Sequence, residues 1–273
     1  MSKSKLFLWV AFMYMLFLNH AFLQAQSLRK LLEEEKTLVF AHRGAVNPDI
    51  PENSLLGLQQ ALNEGIDMLE IDIMESQDGV LYLLHDRTLD RTTLGTGNIA
   101  EWKSKDLDRV GLKETEEYLP RFENFLKEAS QQELYLMLDV KNAPLHKVME
   151  AVEVAGMLDR IVLLTFSLAR AQEAFDLSQR FLVSVLINEE EEFDEYLCKT
   201  TDPYHLAVYV NKDANLSLYI QAQELGLPVI TDVMGAIDKR GIEDPFIYKE
   251  FVQKRNPNVV VSDYPIILKQ VIN

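Results

Sequence analysis

Short apolar runs alternate along this chain with longer stretches in which apolar residues return every three or four positions. The short runs predict strands at Leu38–Ala41, Met68–Met74, Leu81–Leu84, Leu134–Val140, Ile161–Phe166, Phe181–Ile187, Leu206–Val210, Pro228–Asp232 and Val259–Ser262. The periodic stretches predict helices at Ser54–Asn63, Phe122–Ala129, Leu145–Val154, Ala169–Ser178, Glu190–Lys199, Leu216–Leu225 and Pro245–Lys254. Strand-then-helix repetition implies a mostly parallel sheet, because parallel neighbours need a crossover between them. No Pro/Gly/Ser-rich linker or low-complexity tract interrupts the rhythm. The expected fold is a single (β/α)8 TIM barrel with a capping insertion after the third strand. A doubly wound open sheet is the alternative, but no glycine-rich nucleotide turn follows the first strand.

The rhythm breaks once, between His85 and Leu134. Residues 87–120, RTLDRTTLGTGNIAEWKSKDLDRVGLKETEEYLP, are polar, glycine-dotted and long for a strand–helix connection. On a barrel they would cover the C-terminal mouth, where active sites sit.

The first 25 residues stand outside the pattern. Lys3 and Lys5 precede the apolar core Leu6–Leu18, and Ala25 ends the stretch on a small residue. That layout predicts a cleaved signal peptide, residues 1–25, and leaves 26–273 as one domain. An uncleaved anchor is the alternative, since Ala21-Phe22-Leu23 prolongs the apolar run. Export to a bacterial periplasm or exterior is expected, with no stable membrane anchor once the peptide is removed. The formal charge is −16, and becomes −18 without the two N-terminal lysines. Such a balance argues against nucleic acid as a partner and against general attraction to anionic membranes. The single cysteine, Cys198, excludes an internal disulfide and a thiolate zinc cluster, and reads as a packing residue.

Charged residues then stand where apolar runs give out. His42 and Arg43 follow Leu38–Ala41, in a place where a core has no use for them but an anion does. In Met68-Leu69-Glu70-Ile71-Asp72-Ile73 the side chains alternate, so Glu70 and Asp72 share one face while Leu69, Ile71 and Ile73 take the other. Two carboxylates one pleat apart repel unless protonated or sharing a cation, and oxygen ligands suit Ca²⁺ or Mg²⁺. Asp139 and Lys141 repeat the device, as a third ligand and a phosphate counter-charge or as a simple ion pair. His85 closes Leu81–Leu84, the second histidine at a strand end. Imidazoles exchange protons near neutral pH and can serve as base and acid on opposite sides of a reacting centre. Together these groups suit cleavage of a small-molecule phosphodiester.

The motifs HRG, PENS, EID, HD followed by LDRTTLGTG, DVK and SDYP resemble, in this order, the glycerophosphodiester phosphodiesterase family, from about Val39 to the end of the chain. The resemblance implies a TIM barrel that hydrolyses glycerophosphodiesters to sn-glycerol 3-phosphate and an alcohol with one divalent cation, Ca²⁺ or Mg²⁺. It implies His42 and His85 as the catalytic pair, Glu70, Asp72 and Asp139 as metal ligands, and Arg43 and Lys141 as phosphate contacts. Glu52 would stand behind these groups or on the substrate side. Two departures stand out. Asp139 replaces the usual glutamate, and Thr231-Asp232-Val233 replaces a strand that often carries tryptophan. A phospholipase D-like enzyme acting on lysolipid or sphingolipid head groups, with an apolar loop hidden in MGAIDKRGIEDPF, is one alternative. An inactive relative that binds glycerophosphate-like ligands is the other.

Overall fold

The computed structural model describes residues 27–34, 36–177 and 180–272; the segment read as a signal peptide lies outside them. The strands are β1 (Leu38–Ala41), β2 (Met68–Glu75), β3 (Leu81–Leu83), β4 (Tyr135–Val140), β5 (Ile161–Thr165), β6 (Leu182–Ile187), β7 (Leu206–Val210), β8 (Val229–Asp232) and β9 (Val259–Ser262). The helices are α1 (Leu28–Leu32), α2 (Leu55–Asn63), α3 (Ser104–Leu107), α4 (Phe122–Ser130), α5 (Leu145–Val154), α6 (Leu168–Leu177), α7 (Glu192–Leu197), α8 (Leu216–Glu224), α9 (Ala236–Glu243), α10 (Phe246–Arg255) and α11 (Pro265–Ile272).

All strands but β3 pair in parallel in the order β1-β2-β4-β5-β6-β7-β8-β9, and β9 returns to β1 through Leu38–Val259 to Ala41–Ser262. The barrel is closed, as the strand–helix rhythm predicts. The third predicted strand is not one of its staves. Asp78-Gly79, with Gly79 at φ 83°, turns the chain straight back, so β3 pairs antiparallel to the upper end of β2, Ile73 opposite Leu83. A tight turn joins only antiparallel strands, whereas the next stave needs a crossover. The insertion therefore grows from a hairpin outside the barrel.

Helix periodicity translates directly into burial. Phe122, Phe125, Leu126 and Ala129 of α4 and Leu145, Val148, Met149 and Val152 of α5 repeat at i, i+3, i+4, i+7 and face the barrel wall. There they meet the outward residues Leu69, Ile71, Ile73, Leu136, Leu138 and Val140. Burying a phenylalanine such as Phe125 contributes about 1.5–3 kcal/mol. The inward residues form a second apolar layer, with Phe40, Met68, Met137, Val162, Leu182, Ile230 and Val259 at its centre. Leu28 and Leu32 of α1 plug its lower end.

Four helices lie where no helix was expected. One of them, α9, occupies the MGAIDKRGIEDPF stretch, so that segment is not an extended apolar loop. Its two glycines and run of charges hide the period, and Gly241 is there because a Cβ would strike the Tyr248 ring at 2.3 Å. Cys198, expected to pack, is exposed at the end of α7. The insertion has a small core of its own: Leu89, Ile99, Leu107, Val110, Leu112 and Leu119 pack on Met74, Tyr82 and Leu84.

Candidate active site

The parallel register of β2 and β4 sets Asp72 directly beside Asp139, with Glu70 one pleat below. Carboxylate oxygens of all three lie within 4.8 Å of one another and can hold a metal ion. All three point inward, away from the helix-covered face, as alternation along β2 and β4 requires. Their surroundings are low in water, since Glu70 is 5% and Asp72 1% exposed. Burial, then the Asp72 charge, push the Glu70 carboxyl well above its ordinary range. Asp139 is raised too, chiefly by burial, although Lys141 opposes the shift. The Lys141 ammonium stands 3.0 Å from Asp72 and 2.5 Å from Asp139. Burial alone would lower its affinity for a proton, but the two carboxylates outweigh that. Two of the three carboxylates hold this lysine, and the Arg43 guanidinium lies 3.9 Å from Asp72. Surplus negative charge on hard oxygen donors in a buried place is what a divalent cation fits.

The turn after β1 shapes the other half of the site. Arg43 has φ 52° and Gly44 φ 67°, so His42–Gly44 bends out of the sheet at once. The Arg43 amide donates to Glu70 Oε2 at 2.7 Å, and the carboxylate takes the place of a strand partner. Asn53, also left-handed at φ 54°, donates its amide to the Arg43 carbonyl at 2.6 Å. Its side chain grips Asp72 twice: Nδ2 donates to Oδ2 at 2.8 Å, and Oδ1 accepts from the Asp72 amide at 2.9 Å. Within PENS it is therefore Asn53 that touches a triad carboxylate. Ser54 caps α2, accepting from Gly57 N at 2.8 Å.

Each predicted histidine is held by an aspartate. His42 Nδ1 donates to Asp263 Oδ1 at 2.6 Å, and His85 Nδ1 donates to Asp86 Oδ1 at 2.7 Å. The hydrogen bond from His42 keeps Asp263 below the ordinary carboxylate range. Asp86 is held down to about 2, first by Arg91 and then by His85. An ionised carboxylate only accepts, so the proton of each neutral ring sits on Nδ1 and leaves Nε2 free to take one. Asp263 is held in turn: its amide donates to Asp238 Oδ2 at 2.8 Å, and Ser262 Oγ and Tyr248 Oη donate to Asp238 Oδ1.

Glu52 does not reach the triad. It accepts from Arg43 Nη1 at 3.0 Å and from both terminal nitrogens of Arg91, at 2.8 and 2.7 Å. Burial would raise it, but Arg91 and Arg43 bring it below its ordinary range. On the far wall of the barrel Asp232 accepts from Tyr209 Oη at 2.8 Å and Lys212 Nζ at 2.7 Å. A cleft of about 500 Å³ opens beside His42, Arg43 and Asp263, between the PENS turn and Arg91, Lys113 and Glu114 of the insertion. The sequence pattern carries no role for Asp263, Asp86, Asn53 or Arg91, although all four fall inside its motifs. What it lacked was the pairing, which for His42 and Asp263 spans 221 positions.

Residues 42–229 match the model of the glycerophosphoryl diester phosphodiesterase family. A glycerophosphodiester phosphodiesterase of Caldanaerobacter subterraneus subsp. tengcongensis is 23% identical over 63% of this chain and 72% of its own length. Human glycerophosphodiester phosphodiesterase 1 is 30% identical over 47% of this chain, but the match spans only 40% of that protein. Among solved structures, a glycerophosphoryl diester phosphodiesterase from Parabacteroides distasonis superposes with a TM-score of 0.81 at 21% identity, covering 91% of this chain and 92% of that one. A phosphodiesterase from Oleispira antarctica, solved with the product sn-glycerol-3-phosphate, superposes with a TM-score of 0.68 at 21% identity, covering 88% and 98%. With the family model spanning well over half its length, this chain belongs to the glycerophosphoryl diester phosphodiesterase family.

Proposed function

We propose that the protein is a phosphoric diester hydrolase that cleaves glycerophosphodiesters to sn-glycerol 3-phosphate and an alcohol. The observation that carries the reading is the meeting of Glu70, Asp72 and Asp139 within 4.8 Å in a barrel mouth that also holds two aspartate-bound histidines. Glu70, Asp72 and Asp139 would hold one divalent cation, which would supply positive charge to offset the negative charge that develops on the phosphoryl group. Arg43 and Lys141 border the triad and orient the anion. One histidine removes a proton, through its free Nε2, from the attacking oxygen, which is water or a neighbouring hydroxyl of the substrate. The other, protonated on Nε2, gives a proton to the departing alkoxide. Asp263 and Asp86 keep the two rings turned and stabilise each as it becomes charged. Residues 87–120 serve as a cap that walls the cleft beside Arg43. The N-terminal 25 residues direct export.

Turnover of choline, ethanolamine and glycerol diesters of glycerol 3-phosphate tests the reading, with EDTA and then with added Ca²⁺ or Mg²⁺. Release of sn-glycerol 3-phosphate that EDTA abolishes and a cation restores is the expected result. No release from any diester under any condition refutes it.

A further inference from the structure

Arg91 lies in the insertion, yet its side chain meets both halves of the site. Nη1 and Nη2 donate to the two oxygens of Glu52 at 2.8 and 2.7 Å, and Nε donates to Asp86 Oδ2 at 2.6 Å. Glu52 accepts from Arg43 at 3.0 Å, and Asp86 holds His85 Nδ1 at 2.7 Å. One guanidinium therefore bridges two carboxylates, one leading to a proposed phosphate contact and the other to a proposed proton carrier. Two arginines face two carboxylates, so the chain from Arg43 to Asp86 is balanced in charge.

The loop that presents Arg91 is anchored on both sides. Leu89 and Thr93 on either side are fully buried. Thr93 donates its amide and its hydroxyl to the Leu89 carbonyl, at 3.1 and 2.7 Å, and accepts from Gly95 N at 3.1 Å. Arg91 itself is 46% exposed. Ion pairs that exposed add little to stability. Their effect here is orientation: a fork fixes the direction of a carboxylate where a point charge does not.

We infer that Arg91 is a positioning residue that sets His85 through Asp86 and Arg43 through Glu52, and so ties a complete active site to a seated insertion. The inference rests on the hydrolase reading for its effect on turnover, but not for its effect on the His85 ring. Without Arg91, Asp86 keeps one partner and can swing with His85. Glu52 then pairs with Arg43 alone and draws the guanidinium away from the phosphate.

The test compares wild type with Arg91→Met, Arg91→Lys, Asp86→Asn and the Arg91→Met/Asp86→Asn double variant. Readouts are kcat and KM on an alkyl glycerophosphodiester, thermal midpoint, and the ¹⁵N ring signals of His85, assigned by their loss in His85→Gln. Arg91→Met is expected to lower kcat about 10–100-fold and to raise KM, as a misdirected catalytic group does. The His85 effect runs through Asp86 and the Arg43 effect through Glu52, so the double variant should lose less in kcat than the product of the two single losses, and its loss beyond Asp86→Asn should fall mainly on KM. Arg91→Lys, which reaches one carboxylate but cannot fork, should recover part of the loss. His85 signals should shift or broaden in Arg91→Met while those of His42 stay in place. Losses that multiply in the double variant, or unchanged His85 signals, overturn the inference; a lowered midpoint with normal kcat makes Arg91 a mere tether. If wild type cleaves no diester, the hydrolase reading fails and the ring signals alone decide the role of Arg91.

Discussion

Gly57→Ala sets two descriptions of one residue against each other. Gly57 lies in the first turn of α2, and as an ordinary helix position it would gain about 0.5–1 kcal/mol on becoming alanine. The tertiary structure forbids that gain. An alanine Cβ would stand 2.6 Å from the Gly44 carbonyl oxygen, 3.2 Å from Ser54 Oγ and 3.3 Å from the Pro51 carbonyl oxygen. Ordinary contact begins at 3.4 Å, so helix and HRG turn must part by about 0.8 Å. Two of the three obstacles are backbone atoms and cannot rotate away. Overpacking of this kind costs about 1–3 kcal/mol. Set against the helix gain, the net change is a loss of up to about 2.5 kcal/mol, or up to roughly 10 °C in Tm for a domain of this size. The turn that moves carries His42 and Arg43, and a misplacement approaching 1 Å lowers kcat by about 10–100-fold. Urea unfolding and steady-state turnover of one purified variant measure both. If Gly57→Ala raises stability and leaves kcat intact, the close approach of α2 to the turn is not what holds the site.

Other expectations follow from the same geometry. Asn53→Ala removes both grips on Asp72 and should cost about 1–3 kcal/mol in stability; cation affinity, measured by calorimetry, should fall about 10–100-fold. His42→Ala and His85→Ala should each lower kcat by about 10²–10⁴-fold. A 4-nitrophenyl leaving group needs no proton, so it should rescue only the variant that lacks the acid; equal rescue of both, or of neither, would contradict divided roles. Asp86 is held down to about 2, so its contribution to stability is complete above the ordinary aspartate range and is lost as pH falls through about 2. Unfolding followed from pH 5 downward should steepen below about pH 4, and Asp86→Asn should flatten that limb.

Residue types at strand ends were legible because strand periodicity is local. The inward side of Glu70, Asp72, Asp139 and Lys141 follows from alternation alone, as does the outward side of Leu69, Ile71 and Ile73. The barrel was legible because strand and helix alternate from Leu38 nearly to the end of the sequence, and the all-oxygen character of the donor set because that chemistry belongs to residue type. Local pattern could not tell a stave from a hairpin. Leu81–Leu83 is as apolar as any barrel strand, and only its pairing with β2 removes it from the barrel. Nor could pattern find α9, whose period is masked by glycine and charge and whose place depends on Tyr248 filling the space above Gly241. The partners of the histidines lie further still from local reading. His42 meets Asp263 because β9 closes against β1, and Glu52 meets Arg91 because the insertion folds back over the PENS turn. A side chain's chemistry is carried by its own residue, but its direction is set by hydrogen bonds to groups that only chain closure brings near.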